Sequence, residues 1–78
     1  MKAEIKLRST DGELIIGYEG GDEFSYPSSW SDLKKCENVI VEKNDNYSGL
    51  CLIDDKLVHV QRELVHNEYG KSYNFTVI

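Results

Sequence analysis

The sequence predicts an α+β fold, a mainly antiparallel sheet of five to six strands carrying one short helix. Three observations predict it: a faultless apolar–polar alternation at the start of the chain, turn signals recurring between short apolar runs, and a single helix-start signature. The implied element order is ββαββββ, opening with a β-hairpin.

Over residues 2 to 8, Ala3, Ile5 and Leu7 alternate with Lys2, Glu4, Lys6 and Arg8, the pattern of a strand with one buried face. Asp11-Gly12 follows, a dipeptide that tolerates the positive φ angles of a two-residue type I′ turn. With those two residues as the loop, Leu7 is expected to face Ile16, and Ile5 to face Tyr18. A slip of one residue would set apolar side chains against the wrong face.

Beyond Glu19 the chain loosens through Gly20-Gly21 and meets Pro27, which lacks a backbone donor and marks a boundary. Ser28 or Ser29 can cap a helix. Ser29 with Asp32 approximates a capping box, using Asp where Glu or Gln is usual. Trp30, Leu33 and Cys36 recur at helical spacing, and Lys34 and Lys35 suit the negative end of the helix dipole. A helix is expected from Ser29 to Glu37.

The remaining strands are expected at Val39 to Lys43, Gly49 to Ile53, Leu57 to His66 and Ser72 to Ile78. Asn44-Asp45-Asn46, Asp54-Asp55 and Asn67 to Gly70 supply the turns. The run Leu50-Cys51-Leu52-Ile53 does not alternate, so that strand is expected to be central and covered on both faces. Tyr73, Phe75 and Val77 present one apolar face. The run Ser72 to Ile78 is expected to be open to pairing with a second chain.

The chain has 78 residues, a net charge of -5, 40% hydrophobic and 29% charged residues, the composition of one small globular domain spanning 1–78. No run approaches the ~20 apolar residues of a membrane span, and the opening residues lack the apolar segment of a secretory signal. A cytoplasmic protein is expected. A core this small leaves little room for a ligand pocket of ~300 to 1,000 Å³, so surface binding is expected rather than enzyme activity. The acidic balance disfavours nucleic acid and anionic membranes and favours a larger protein with a basic surface.

Gly20-Gly21-Asp22-Glu23-Phe24 is similar to the signature of the diguanylate cyclases. The likeness covers five residues, and that family needs a longer domain, a wound α/β sheet and a second metal carboxylate, none of them readable here. No cyclase role is carried over. Cys36 and Cys51 form no Cys-x-x-Cys pair, and His59 and His66 fall an odd number apart in one strand, on opposite faces. Asp54-Asp55 lacks the spaced oxygen ligands of a calcium loop. The sequons at Asn46 and Asn74 carry meaning only in a secreted chain. Catalytic residues, cofactors and metals are therefore not expected.

Charge distribution carries the most physical content. Between Arg8 and Lys34 there is no Lys or Arg, while Asp11, Glu13, Glu19, Asp22, Glu23 and Asp32 all fall there, with Tyr18, Phe24, Tyr26 and Trp30 among them. Tyr18 and Trp30 belong to apolar faces and are expected in the core. Glu19, Asp22, Glu23, Phe24 and Tyr26 remain as a partner-binding surface, because rings bury area at low entropic cost while charge steers encounter. The leading expectation is a protein-binding module, an inhibitor occluding a nucleic-acid-binding surface in the manner of small phage or mobile-element proteins. The alternative is a homo-oligomeric structural or accessory subunit, joined through Ser72 to Ile78 or Leu50 to Ile53.

Overall fold

The computed structural model describes residues 1–18, 26–67 and 70–78. In chain order they form β1 (Ala3–Leu7), β2 (Leu14–Tyr18), α1 (Trp30–Lys34), β3 (Val39–Asn44), β4 (Ser48–Ile53), β5 (Lys56–Asn67) and β6 (Gly70–Val77). All six strands join one antiparallel sheet in the order β1-β2-β6-β5-β4-β3. The expected α+β class, element order and opening hairpin are all present.

The hairpin register differs from the expectation by two residues. Leu7 faces Leu14, Ile5 faces Ile16, and Ala3 faces Tyr18. The loop is four residues long, not two: the Arg8 N–H donates to the Glu13 carbonyl (2.8 Å), and the Gly12 N–H donates to the Arg8 carbonyl (2.8 Å). A type I′ turn needs positive φ at both central residues, whereas only Gly12 adopts it here (φ 74). The Asp11 carboxylate accepts from the Glu13 N–H (3.0 Å) and from the Arg8 guanidinium (2.6 Å to Nη2), holding the wider loop shut. A shift of two leaves every side chain on its expected side of the sheet, but of the face expected to be buried only Ala3 is, while Ile5 and Leu7 are exposed. The tight turn with two positive φ angles lies instead at Asp54 (φ 52) and Asp55 (φ 65), between the paired Ile53 and Lys56.

β6 is a central strand, with β2 on one side and β5 on the other. This corrects the expectation that Ser72 to Ile78 would be open to pairing; Leu50 to Ile53 is interior as expected, between β3 and β5, but is not covered on both faces. Asn74, Phe75 and Thr76 are all buried, so β6 is covered on both faces. On its second face the groups are polar and bonded: Thr76 Oγ1 donates to Glu63 Oε2 (2.8 Å), and Arg8 Nη1 donates to Asn74 Oδ1 (3.4 Å). That chemistry hides centrality from a reading based on hydrophobicity. β4 shows the reverse, with Gly49, Cys51 and Ile53 buried and Leu50 and Leu52 only half-buried.

The two edge strands are clasped at one end. The Ala3 N–H donates to Asn38 Oδ1 (2.8 Å), Asn38 Nδ2 donates to the Ala3 carbonyl (2.8 Å), and the Glu37 N–H donates to the Met1 carbonyl (3.0 Å). One amide side chain thus stands in for a strand residue, joining β1 to the entrance of β3.

The helix begins as its cap dictates, with Ser29 Oγ accepting from the Asp32 N–H (3.1 Å). It ends at Lys34 rather than running to Glu37. The N–H groups of Lys35 and Cys36 turn to carbonyls three residues back (3.2 Å each), so the chain tightens before β3. That tightening keeps Leu33 and Cys36 on one side, where they close the core formed by Ala3, Ile16, Val39, Cys51, Ile53, Val60 and Phe75. Tyr18 and Trp30 pack against this core as expected, with the Trp30 ring 4.7 Å from Phe75.

Candidate functional site

The cation-free stretch runs from the β1–β2 loop through β2 into α1, and the candidate binding residues Glu19 to Tyr26 fall in sequence between β2 and the capped start of α1. Glu19, Asp22, Glu23 and Phe24, together with Gly20 and Gly21, lie outside the described residues. Tyr26 is described and half-buried. Its ring lies over β2 at Gly17, where an added Cβ would sit 3.3 Å from Tyr26 Cδ1 and 3.1 Å from Lys6 Cδ. The missing side chain at Gly17 lets ring and lysine stem rest on the strand. Pro27 is fully buried and fixes where the chain enters the helix.

Arg8, which bounds the stretch on its N-terminal side, is already engaged. Arg8 Nη2 lies 2.6 Å from Asp11 and 3.6 Å from Glu63, with its side chain only 12% exposed. The hydrogen bond from Arg8 holds the Asp11 carboxyl below the usual aspartate value, and Asp11 in turn raises the Arg8 guanidinium. Arg8 therefore braces the sheet and does not offset the acidity beyond it. Burial pushes the Asp32 carboxyl up, but hydrogen bonds from Ser29 and Ser28 and the nearby Lys35 outweigh it and hold the group low. Glu13 is exposed.

The nucleophile and ligand candidates are dispersed. Cys36 and Cys51 are free, buried thiols whose ionisation burial opposes, leaving both poor thiolates. β5 pairs without interruption from Lys56 to Asn67, so His59 and His66 project from opposite faces. Among the described residues, no group of three or more His, Cys, Asp and Glu is placed to hold a metal ion. None of the described helices is long and apolar enough to cross a membrane. The antiparallel sheet also differs from the wound sheet of the cyclases.

Two features escaped the sequence reading. A depression of about 310 Å³ lies between the β3–β4 turn and His59, with Lys43, Asn44, Asp45 and Leu50 among its walls. Its one acid is occupied, because the Asp45 carboxylate accepts from the N–H groups of Tyr47 and Ser48 (2.7 Å each), which hold it below the usual value. The second feature is an aliphatic outer face. Ile40 pairs with Leu52 and Leu52 with Leu57; in the next row Leu50 pairs with His59, whose carbonyl accepts from the Ile78 N–H (2.9 Å). The failed alternation of Leu50 to Ile53 was its signal. In the folded chain it marks a second apolar face, not a covered one. Compared with family models, curated proteins and solved structures, the chain matches none.

Proposed function

We propose that the protein is a small acidic binding module whose stretch from Glu19 to Tyr26 docks on a basic surface of a larger protein and occludes it. The observation that carries this reading is the run of six carboxylates without a cation between Arg8 and Lys34. The engagement of Arg8 by Asp11 and Glu63 supports it, since the cation nearest the stretch on its N-terminal side is neutralised within the fold. Tyr26, anchored on Gly17 and half-buried, supplies an aromatic contact already held in place, which lowers the ordering cost of binding. A basic surface that binds nucleic acid is the target of matching chemistry, and occlusion makes the module an inhibitor.

The test is affinity capture of the tagged chain from its native host's lysate, run beside the Asp22→Lys/Glu23→Lys variant. A specific partner that is retained by the wild type, released by added nucleic acid or salt, and lost by the variant is expected. Capture of the same partners by both chains would sink the reading.

A further inference from the structure

An antiparallel sheet ordinarily packs one face on the core and carries polar groups to water on the other. The β3–β4–β5 half of this sheet departs from that rule. Ile40, Leu52 and Leu57 stand in register across three strands, and Lys43, Leu50, His59 and Ile78 form the adjoining row. Behind them, on the inner face of the same strands, Val39, Cys51, Ile53 and Val60 already fill the core. Ile40, Leu57 and Ile78 are 56%, 66% and 70% exposed, so none of the described residues covers them. Lys43, at the β3 end of the second row, is the one charged side chain of the two rows.

We propose that this face is an interface between two copies of the chain, packed sheet on sheet about a twofold axis. The surface follows a sheet and is aliphatic. What fits such a surface at the ~10 Å spacing of stacked sheets is a second sheet face of the same character, with side chains interdigitating. Another copy presents that face by symmetry, residue for residue. The six uncharged residues expose on the order of 500 Å² per copy, so facing copies cover about 1,000 Å² before the rim is counted, short of the ~1,200 to 2,000 Å² of stable interfaces and in the range of weak, transient ones. An area this modest makes a reversible dimer, populated as concentration rises.

The dimer uses neither strand edge considered from the sequence, since β4 and β6 are each paired on both sides. It also uses none of the residues of the acidic docking stretch. Asp22→Lys/Glu23→Lys is expected to leave it intact, so the two readings fail separately.

Sedimentation equilibrium from roughly 10 µM to 1 mM is expected to show a reversible monomer–dimer equilibrium, with concentration-dependent methyl shifts at Ile40, Leu50, Leu52, Leu57 and Ile78. Leu57→Asp and Ile40→Asp alter positions more than half exposed, so folding does not depend on them; each should weaken dimerisation at least about tenfold by setting a charge in the contact. Leu7→Asp, at a position 71% exposed on β1, should dimerise as the wild type does. A wild-type chain still monomeric at the highest concentration overturns the proposal. So does loss of the dimer in Leu7→Asp with retention in Leu57→Asp, or a methyl shift pattern confined to β1 and β2. Occupation of the face by a different protein, with the isolated chain remaining monomeric, overturns it as well.

Discussion

Gly49 sits where β4 passes beneath the Trp30 ring and beside the irregular pairing of β3 between Val41 and Lys43. An added methyl would lie 2.6 Å from the Lys43 carbonyl oxygen and 2.9 Å from Trp30 Cη2. The carbonyl belongs to the backbone and cannot swing away. Gly49→Ala is therefore expected to lower stability by about 1 to 3 kcal/mol, read as a lower urea midpoint at unchanged slope. Carboxylates tell a second story at this scale. Asp11, Asp32 and Asp45 are all held below the usual aspartate value by hydrogen bonds to the folded chain. A carboxylate held low stabilises the fold once the pH exceeds its unfolded value, near ~4, and that contribution vanishes as the pH falls through the lower folded value. Urea midpoints should accordingly be level above about pH 5 and decline below about pH 4. Asp45→Asn should lower the midpoint at neutral pH and make the acid decline shallower; an unchanged pH profile would show that the turn does not depend on the charge.

Among elements, those whose local chemistry is self-sufficient were legible in the sequence. Ser29 announces the start of α1 because a side-chain oxygen three residues before a free N–H is a local event. The strands announce themselves by composition and intervening turns. The hairpin register was not legible, because Asp11-Gly12 serves equally well as a two-residue turn or as the end of a four-residue loop. The choice rests on bonds from Arg8, whose own position depends on Glu63 and Asn74 far along the chain. The β4–β5 turn illustrates the opposite case. Asp54 and Asp55 both adopt positive φ without being glycine, a conformation that L-residues resist. Asp55→Gly is expected to raise stability by about 0.5 to 1 kcal/mol by removing that strain, visible as a higher urea midpoint. The clasp between β1 and β3 makes a further prediction at this scale. Asn38→Ala removes two bonds to Ala3 and one to Asp54, and should cost about 1 to 3 kcal/mol while speeding hydrogen exchange at the Ala3 amide.

On the scale of the whole molecule, strand order was the least legible property. Nothing local says that β2 will pair with β6, and the Ile15 to Thr76 contact spans most of the chain. Of the candidate binding residues, Tyr26 alone falls among those described. Its place over Gly17 could not be read from spacing, since it depends on how the chain returns from β2 to Pro27. The charge pattern, by contrast, was fully readable because it needs no contact to exist. The position of β6 also dictates how the molecule is assembled in time. β1–β2 and β3–β4–β5 are two separate meanders, and β6 is the strand that joins them within the sheet. The sheet is therefore not continuous until β6 is in place, and β1–β2 must wait for it to dock. Sheets dominated by such distant pairings close slowly, on a timescale of roughly milliseconds to seconds, and refolding in stopped-flow fluorescence of Trp30 should fall in that range.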